Sequence, residues 1–400
     1  MVMKKSPEVK TPQGFFFSVT EAAIKKPGRK DLALIVSEVE ASVAGTFTTN
    51  TVKAAPVRLC MQKIRLARGQ AIIVNSGNAN ACTGKQGMKD AREITGEVSR
   101  RIDISPALTY MCSTGVIGTP LPMQRIVPAI GPLTGGLGLS SLADVAEAIM
   151  TTDTFPKLAS RTVTIGGRQG VIAGICKGAG MIAPNMATML CFLITDIAIE
   201  KKALQTALKN SVRKSFNRIT IDGDMSTNDS SLIMANGILG NRPLRPTSKD
   251  YPAFRNALDD ITYELSKHIV RDGEGATKLV EVMVKGAKNQ DDAEKAALAI
   301  ANSNLVKTAL YGNDANWGRI MAAAGYSRAR FNPDKADIFF NKVQVVQNGV
   351  ANNRDRAATR EMQKQELKIT VDLHAGSAAA TVLTCDLTEA YIRINAEYRT

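Results

Sequence analysis

The most informative stretch of the chain is KGAGMIAPNMATML, residues 177–190. It separates two apolar runs, of which the first ends at Cys176 and the second begins at Met189. Short apolar runs bounded by glycine and proline are typical of buried strands joined by a loop. The pattern therefore predicts a strand, a glycine-rich loop and a second strand over 189–197, with Ala187 and Thr188 leading into that strand.

The same alternation of strand-like and helix-like runs extends along the whole chain. The other predicted strands are 32–39, 71–74, 108–111, 171–176, 279–284, 338–346 and 367–373. Apolar residues at three- and four-residue spacing predict the helices 85–102, 142–150, 202–216, 251–270 and 293–310. Strands and helices mixed in this way predict an α+β fold with layered α/β architecture.

The composition is that of an ordinary globular protein. The chain has 400 residues, of which 44% are hydrophobic and 22% charged, so we expect two or three domains or one large α/β body. No apolar run approaches the ~18 residues of a membrane span, and the first residues lack the apolar segment of a secretory signal. The six cysteines form no C-x-x-C pair, which argues against a zinc ribbon or a disulfide framework and favours a reduced cytoplasm.

A net charge of +14 raises the hypothesis of nucleic-acid binding. The basic residues are scattered, however, and only 201–218 forms a basic helical stretch. Aromatic residues make up 5% of the chain, which is few for a surface that stacks bases. A basic nucleic-acid-binding protein is therefore the weaker alternative, and attraction of acidic small substrates is another use of the charge.

Histidine is too scarce for the common catalytic triads. Only His268, in a predicted helix, and His374, in a strand-like run, are present. The chain also has no G-x-S-x-G, H-E-x-x-H or P-loop motif. A hydrolase or transferase with this sequence would therefore need a base other than histidine.

Two other groups of side chains are expected to have structural roles. Asp222, Asp224 and Asp229 invite a metal site, but without histidine or cysteine beside them caps and turn bonds fit better, and we expect no metal. Four cysteines beside conspicuous loops are expected to be small core residues: Cys82, Cys112, Cys176 and Cys191.

A threonine can supply both a nucleophile and a base when its own α-amine is free. The pKa of a free α-amine is roughly 7.7–8.0, so part of it is unprotonated at neutral pH. Thr188 would gain such an amine if the bond after Ala187 were cut by attack of its own hydroxyl. The small side chain of Ala187 leaves the carbonyl that would be attacked accessible.

The stretch 177–190 resembles the signature of the ornithine acetyltransferase (glutamate N-acetyltransferase) family of arginine biosynthesis. Further motifs resemble those of the family, in the same order along almost the whole chain: FTTNTVKAAPV, NSGNANACTG, CSTGVIG, MTTDTFPK, DGDMSTND, RDGEGATK, GNDANWGRI and INAEYRT. On these motifs the sequence is identified as a member of that family.

The resemblance implies a self-cleaving acetyltransferase. The precursor would cut itself between Ala187 and Thr188 into an α chain, 1–187, and a β chain, 188–400. Thr188 would take the acetyl group of N-acetyl-L-ornithine as an ester, release ornithine and pass the acetyl group to L-glutamate in a ping-pong reaction. No cofactor is implied. Bifunctional family members also use acetyl-CoA, and the motifs do not separate the two kinds.

The resemblance also assigns roles to single residues. Thr114 and Gly115 match the pair that forms the family's oxyanion hole. Six residues match substrate-binding positions: Thr151, Lys177, Thr188, Glu274, Asn395 and Thr400. A lysine suits the carboxylate of an amino-acid substrate, and a glutamate suits its ammonium group.

The fold and assembly implied by the resemblance are specific. The fold would be an α/β/β/α sandwich similar to that of N-terminal-nucleophile enzymes but with different strand connectivity. A smaller second α/β domain is expected over roughly 200–290. Cleaved chains of the family commonly form an α₂β₂ heterotetramer, so we expect one here, with small-molecule substrates and neither a nucleic acid nor a membrane as partner.

A self-cleaving amidase or aminopeptidase of the same fold remains the closest alternative. Such an enzyme would pass the acyl group to water. The residues that favour transfer are those matching a site for a second amino acid: Lys177, Glu274, Asn395 and Thr400.

Overall fold

The computed structural model describes residues 9–183 and 189–397, which form two compact units. The described part of the first unit comprises residues 9–178, 189–217 and 225–266. The described part of the second unit comprises residues 179–183, 218–224 and 267–397.

The smaller second domain expected over roughly 200–290 stays a prediction. Of that range, 218–224 and 267–290 belong to the second unit. The predicted boundary between the α chain and the β chain, at 187/188, lies outside the described residues and stays a prediction.

The described part of the first unit contains eight strands and six helices, the last of which continues to Arg271. The strands are β1 (Phe15–Thr20), β2 (Leu32–Phe47), β3 (Arg68–Asn78), β4 (Thr109–Val116), β5 (Lys157–Ile165), β6 (Arg168–Lys177), β7 (Leu190–Thr195) and β8 (Ser230–Ala235). The helices are α1 (Ala55–Lys63), α2 (Gly84–Arg101), α3 (Met123–Gly135), α4 (Leu142–Ala148), α5 (Lys201–Lys214) and α6 (Tyr251–Arg271).

Strand β7 lies in the interior of the first sheet. The strand order is β4-β3-β2-β8-β7-β6-β5, with β1 paired to β2. β7 runs antiparallel to β6 and parallel to β8, and all six of its residues are buried. The strand predicted over 189–197 is therefore confirmed, and it is an interior strand of the sheet.

Helices cover both faces of this sheet. Successive residues on a strand point to opposite faces of the sheet. Leu34 and its cross-strand partner Ile73 point to one face, where they pack with Ile94 of α2. Ile35 points to the opposite face, where it joins a cluster with Val145 of α4. Each fully buried side chain of this size contributes ~1.5–3 kcal/mol relative to an exposed one.

The described part of the second unit contains six strands and five helices. The strands are β9 (Leu279–Ala287), β10 (Asp337–Phe340), β11 (Val343–Gln347), β12 (Val350–Ala351), β13 (Glu366–Asp372) and β14 (Ala378–Cys385). The helices are α7 (Gln290–Asn302), α8 (Asn304–Tyr311), α9 (Trp317–Tyr326), α10 (Asp355–Met362) and α11 (Glu389–Ala396). The strand order is β12-β11-β10-β13-β9-β14. The predicted mixed α/β class is confirmed in both units.

Two elements predicted as continuous are each divided. The predicted helix 293–310 is wrong as a single helix, because Ser303 ends α7 and its side chain accepts the Val306 N–H at the start of α8. The predicted strand 338–346 is a hairpin, because Asn341 turns the chain between β10 and β11 at φ +51°. Asparagine is one of the few residues that adopt this conformation readily.

Ser303→Ala tests the cap between α7 and α8. It removes the acceptor for the Val306 N–H, so we expect a loss of ~0.5–2 kcal/mol in the free energy of unfolding, measured by calorimetry. Ser303→Thr keeps the hydroxyl and should stay close to the wild type. An equal loss in both variants would show that packing at this position matters and the cap does not.

Candidate active site

The sequence-predicted site residues are divided between the two units, and each group is described within its own unit. The first unit contains Thr114, Gly115, Thr151 and Lys177. The second unit contains Glu274 and Asn395. The predicted cleavage residues Ala187 and Thr188, and the terminal Thr400, lie outside the described residues.

The start of β7 is fixed on both sides by main-chain pairing. Leu190 lies opposite Lys177 of β6 and beside Ser230 of β8. The N–H of Met189 donates to Asp229 Oδ1 at 3.0 Å, and its carbonyl accepts the Ser230 N–H at 3.2 Å. The residue that directly follows the predicted nucleophile is therefore held in place by two strands and a carboxyl group.

Asp229 is a fully buried acid at this point of the sheet. Burial raises the pKa of its carboxyl well above the ordinary value, against the opposing effects of the Met189 N–H and the charge of Lys177. Within the described residues, its Oδ2 accepts no hydrogen bond of normal geometry. Asp229 is therefore shifted toward its neutral form, in which Oδ2 can donate a proton.

Asp153 is a second buried acid, and three hydrogen-bond donors and a second lysine surround it. Oδ1 accepts from Lys157 Nζ and from the Gly178 N–H, both at 2.7 Å. Oδ2 accepts from the Thr151 N–H at 3.0 Å and lies 3.8 Å from Lys177 Nζ. Burial alone would raise the pKa of Asp153, but the charges of Lys177 and Lys157 outweigh it and hold that pKa below the usual range.

Thr151 and Lys177 meet although 26 positions separate them in the sequence. Lys177 Nζ donates to Thr151 Oγ1 at 2.7 Å, and the lysine side chain is only 4% exposed. The structure thus brings together two residues that the family resemblance assigns to substrate binding. Asp153, which links them, was missed by sequence reasoning, because an aspartate in a Thr- and Pro-containing loop is typical of ordinary turns.

Gly115 lies in β4 beside the end of the parallel strand β3, where it pairs with Gly77. Its φ is +134°, and a Cβ atom there would lie 2.2 Å from the Gly77 carbonyl carbon and 2.4 Å from the Asn78 nitrogen. Only glycine fits such an approach. The preceding residue, Thr114, is buried, so the predicted oxyanion pair lies on a tightly constrained backbone.

Amide side chains join the loop after β3 to the end of β4. Asn228 Nδ2 donates to the carbonyls of Ala79 at 2.7 Å and Ser113 at 2.8 Å. Ser113 Oγ donates to Asn75 Oδ1 at 2.5 Å. The conspicuous asparagines of NSGNANACTG and DGDMSTND therefore satisfy buried polar groups, which fixes the backbone around Thr114.

In the second unit, Glu274 and Asn395 are in direct contact. Asn395 Nδ2 donates to Glu274 Oε2 at 2.8 Å, and the Glu274 N–H donates to the Ala179 carbonyl at 2.8 Å. A Cβ atom on Gly180 would lie 2.3 Å from Glu274 Oε2, so a side chain there would displace this carboxylate from its observed position. The second glycine of the KGAG motif thus faces an acid 94 positions further along the chain.

Asp222 holds the neighbouring segment of the second unit. Its carboxylate accepts from the Met181 N–H at 2.6 Å and the Ile182 N–H at 2.8 Å, and Tyr391 Oη donates to it at 3.1 Å. Burial raises the pKa of Asp222 in spite of these bonds. Residues 9–183 and 189–397 contain no group of three His, Cys, Asp or Glu side chains arranged to hold a metal ion.

The cysteines and His374 have no role in the proposed chemistry. Cys176 and Cys191 are buried core residues, as predicted, and burial raises the pKa of Cys191 to about 12. Cys82 is exposed in a turn at φ +58°, so its prediction as a core residue is wrong. His374 lies in a turn after β13 at φ +46°, and not in a strand, with Nε2 3.0 Å from Asp337 Oδ2.

Comparison with known proteins gives a consistent result over the whole chain. The profile of the ArgJ family matches residues 16–400. The chain is 56% identical over 390 residues to the arginine biosynthesis bifunctional protein ArgJ of Geobacter sulfurreducens, covering 97% of this chain and 99% of that protein. The protein of the same name from Symbiobacterium thermophilum is 49% identical over 395 residues, with 98% of both chains covered.

A solved structure provides a further comparison. The crystal structure of the arginine biosynthesis bifunctional protein ArgJ of Bacillus halodurans is 43% identical, with a TM-score of 0.50. The match covers 51% of this chain and 97% of the solved one, so the solved polypeptide is about half as long as this chain.

The two buried acids of the first unit predict opposite dependences of stability on pH. The folded-state pKa of Asp229 is raised above the unfolded value of ~3.9, so its effect on stability becomes less favourable as the pH rises above ~4. The pKa of Asp153 is lowered, so its contribution is fully present above ~4 and is lost only at lower pH.

Asn substitutions separate these two effects. Between pH ~4 and 8, the melting temperature of Asp229→Asn should rise relative to the wild type as the pH rises. Asp153→Asn breaks a buried ion pair, so it should lower the free energy of unfolding by ~3–5 kcal/mol. This loss should be constant between pH ~4 and 8 and should become smaller below pH ~4. A difference between Asp229→Asn and the wild type that does not vary with pH would contradict the assignment.

Proposed function

The chain belongs to the ArgJ family, and from this premise we propose that Thr188 carries the acetyl group it transfers from N-acetyl-L-ornithine to L-glutamate. The protein is a glutamate N-acetyltransferase (ornithine acetyltransferase), an enzyme of arginine biosynthesis. The observation that supports the role of Thr188 is the pairing of β7, because the residue after Thr188 is fixed beside Asp229 in the interior of the sheet.

Thr188 becomes the nucleophile by cleavage of its own precursor. Its hydroxyl attacks the carbonyl of Ala187, the C–N bond between Ala187 and Thr188 breaks, and the acyl group moves to Oγ as an ester, which frees the α-amine of Thr188. Water then hydrolyses that ester, which releases the carboxylate of Ala187 and restores the hydroxyl of Thr188. The α-amine then takes the hydroxyl proton during each acetyl transfer. A mature enzyme of two polypeptides agrees with the half-length chain solved for the Bacillus halodurans relative.

The oxyanion of each tetrahedral intermediate is stabilised by Thr114 and Gly115. Donors that are already in place when negative charge develops lower the barrier, because they need no reorganisation. The support is the close approach of β4 to the end of β3, which leaves no room for a side chain at Gly115.

Charged side chains recognise the amino-acid substrates. Lys177 binds a substrate carboxylate beside Thr151, since its ammonium is held at the end of β6 with little exposure. Glu274 binds the substrate ammonium with Asn395, which already donates to its carboxylate. Thr400 is the last proposed substrate contact. In a ping-pong reaction each of these residues serves the two substrates in turn.

The wider setting of the reaction follows from the family. The Geobacter sulfurreducens and Symbiobacterium thermophilum relatives are named bifunctional, and the second activity proposed for this chain is acetylation of glutamate from acetyl-CoA, used as a substrate with no other cofactor. The proposed assembly is an α₂β₂ heterotetramer in the cytoplasm. In the described part of the chain, no helix is both long enough and apolar enough to cross a membrane.

Cleavage is tested by the intact mass of the denatured protein. The wild type should give two species, 1–187 and 188–400, and Thr188→Ala should give one uncut chain, because the attacking hydroxyl is gone. Thr188→Ser keeps a hydroxyl and should still be cut. One uncut chain in the wild type would remove the amine on which the mechanism depends. Equal cleavage of Thr188→Ala would place the nucleophile elsewhere.

The oxyanion role is tested by Gly115→Ala. Its Cβ would push the backbone away from Gly77, so we expect a loss of ~10²–10³ in acetyl transfer from N-acetylornithine to glutamate. Gly118→Ala is the matched control, since Gly118 also has positive φ, +87°, but open space at its Cβ. Equal losses in the two variants would attribute the effect to backbone strain alone.

Release of free acetate by the wild type in the absence of glutamate, at the rate of acetyl transfer, would identify a hydrolase instead.

A further inference from the structure

Lys157 is a fully buried lysine to which the proposed chemistry gives no role. It begins β5, and its side chain is 0% exposed. Its Nζ lies 2.7 Å from Asp153 Oδ1 and 5.0 Å from the centroid of the Phe155 ring, within the range of a cation–π contact. Removing an ammonium group from water is costly unless it is paired, so the pairing of Lys157 with Asp153 explains how it can be buried.

Asp153 interacts with its two lysines unequally. Lys157 is in contact at 2.7 Å, whereas Lys177 lies 3.8 Å away, beyond hydrogen-bond distance. Lys177 instead donates to Thr151 Oγ1 at 2.7 Å. The carboxylate therefore forms its contact ion pair with the lysine that has no proposed substrate role.

The closer pairing of Asp153 with Lys157 bears on where the ammonium of Lys177 lies. Opposite charges attract strongly in a poorly solvated interior, and an unneutralised carboxylate draws the nearest cation to itself. Without Lys157, that cation is Lys177, which would move toward Asp153 and away from Thr151. Asp153 would still accept hydrogen bonds from the Thr151 N–H and the Gly178 N–H, but these neutral groups would not replace the positive charge of Lys157.

We propose that Lys157 is a positioning residue for acetyl transfer: it neutralises Asp153, so that Lys177 stays on Thr151 Oγ1 and presents its ammonium to the substrate carboxylate. This inference rests on the substrate role proposed above for Lys177. It concerns binding more than the chemical step, because Lys157 is fully buried and acts through Asp153.

The experiment measures kcat and KM for N-acetylornithine together with the melting temperature. Lys157→Met should raise KM by about 10- to 100-fold, the effect of losing a charged hydrogen bond to a ligand, and change kcat less. The double variant Asp153→Asn with Lys157→Met removes both charges of the ion pair. Its KM should return toward that of the wild type, because nothing then draws Lys177 away from Thr151.

Two control variants separate the possible explanations. Lys177→Met should itself raise KM. An unchanged KM in Lys177→Met would overturn the substrate role of Lys177, while the ion pair of Lys157 with Asp153 would not be affected by that result. Lys307→Met removes another buried lysine, bonded to Thr384 Oγ1 at 3.0 Å in the second unit. It should alter the melting temperature and leave KM unchanged.

The outcomes decide the inference in each case. If Lys157→Met lowers the melting temperature with KM as in the wild type, Lys157 is only structural and the inference is overturned. If Lys157→Met does not fold, the double variant decides. A folded double variant with nearly wild-type KM supports neutralisation of Asp153 as the function of Lys157, whereas a raised KM or failure of this variant to fold overturns it.

Discussion

The pairing of β7 with a strand on each side is the constraint on which the proposed site depends. The main-chain N–H and C=O groups of a buried strand need partners, and β6 and β8 supply them. This pairing sets Lys177 opposite Leu190 and Ser230 beside it. The positions around the start of β7 are therefore fixed by the backbone of the sheet, and side chains only complete the arrangement.

Burial at this end of the sheet has opposite consequences for two carboxyl groups. Asp153 stays ionised, because two lysines and two backbone N–H groups compensate for the loss of water. Asp229 receives one backbone N–H and the more distant charge of Lys177, and it is shifted toward the neutral acid. An ionised group can orient cations and a neutral acid can donate a proton, so one buried region holds groups suited to different tasks. Neither acid is exposed, so both act through fixed geometry.

Sequence reasoning was strongest where an element has periodic apolar residues and weakest where a contact joins distant segments. The run from Met189 predicted β7 because its burial is continuous, whereas Ser303 divided a predicted helix by a local cap that apolar spacing does not reveal. Asp153 lies 25 positions before Gly178, and Asp229 lies 40 positions after Met189. Such pairs have no signature in one sequence, because only the sheet brings them together.

The scarcity of histidine and the distribution of charge have a common explanation in the proposed mechanism. The two histidines lie in α6 and in the turn after β13, so they leave the role of the base to another group. An α-amine released by cleavage has a pKa near neutrality without any partner to adjust it. The charged side chains are then available for recognition: Lys177 for a carboxylate and Glu274 for an ammonium. Because substrate binding and proton transfer use different groups, neither requires a pKa that would compromise the other.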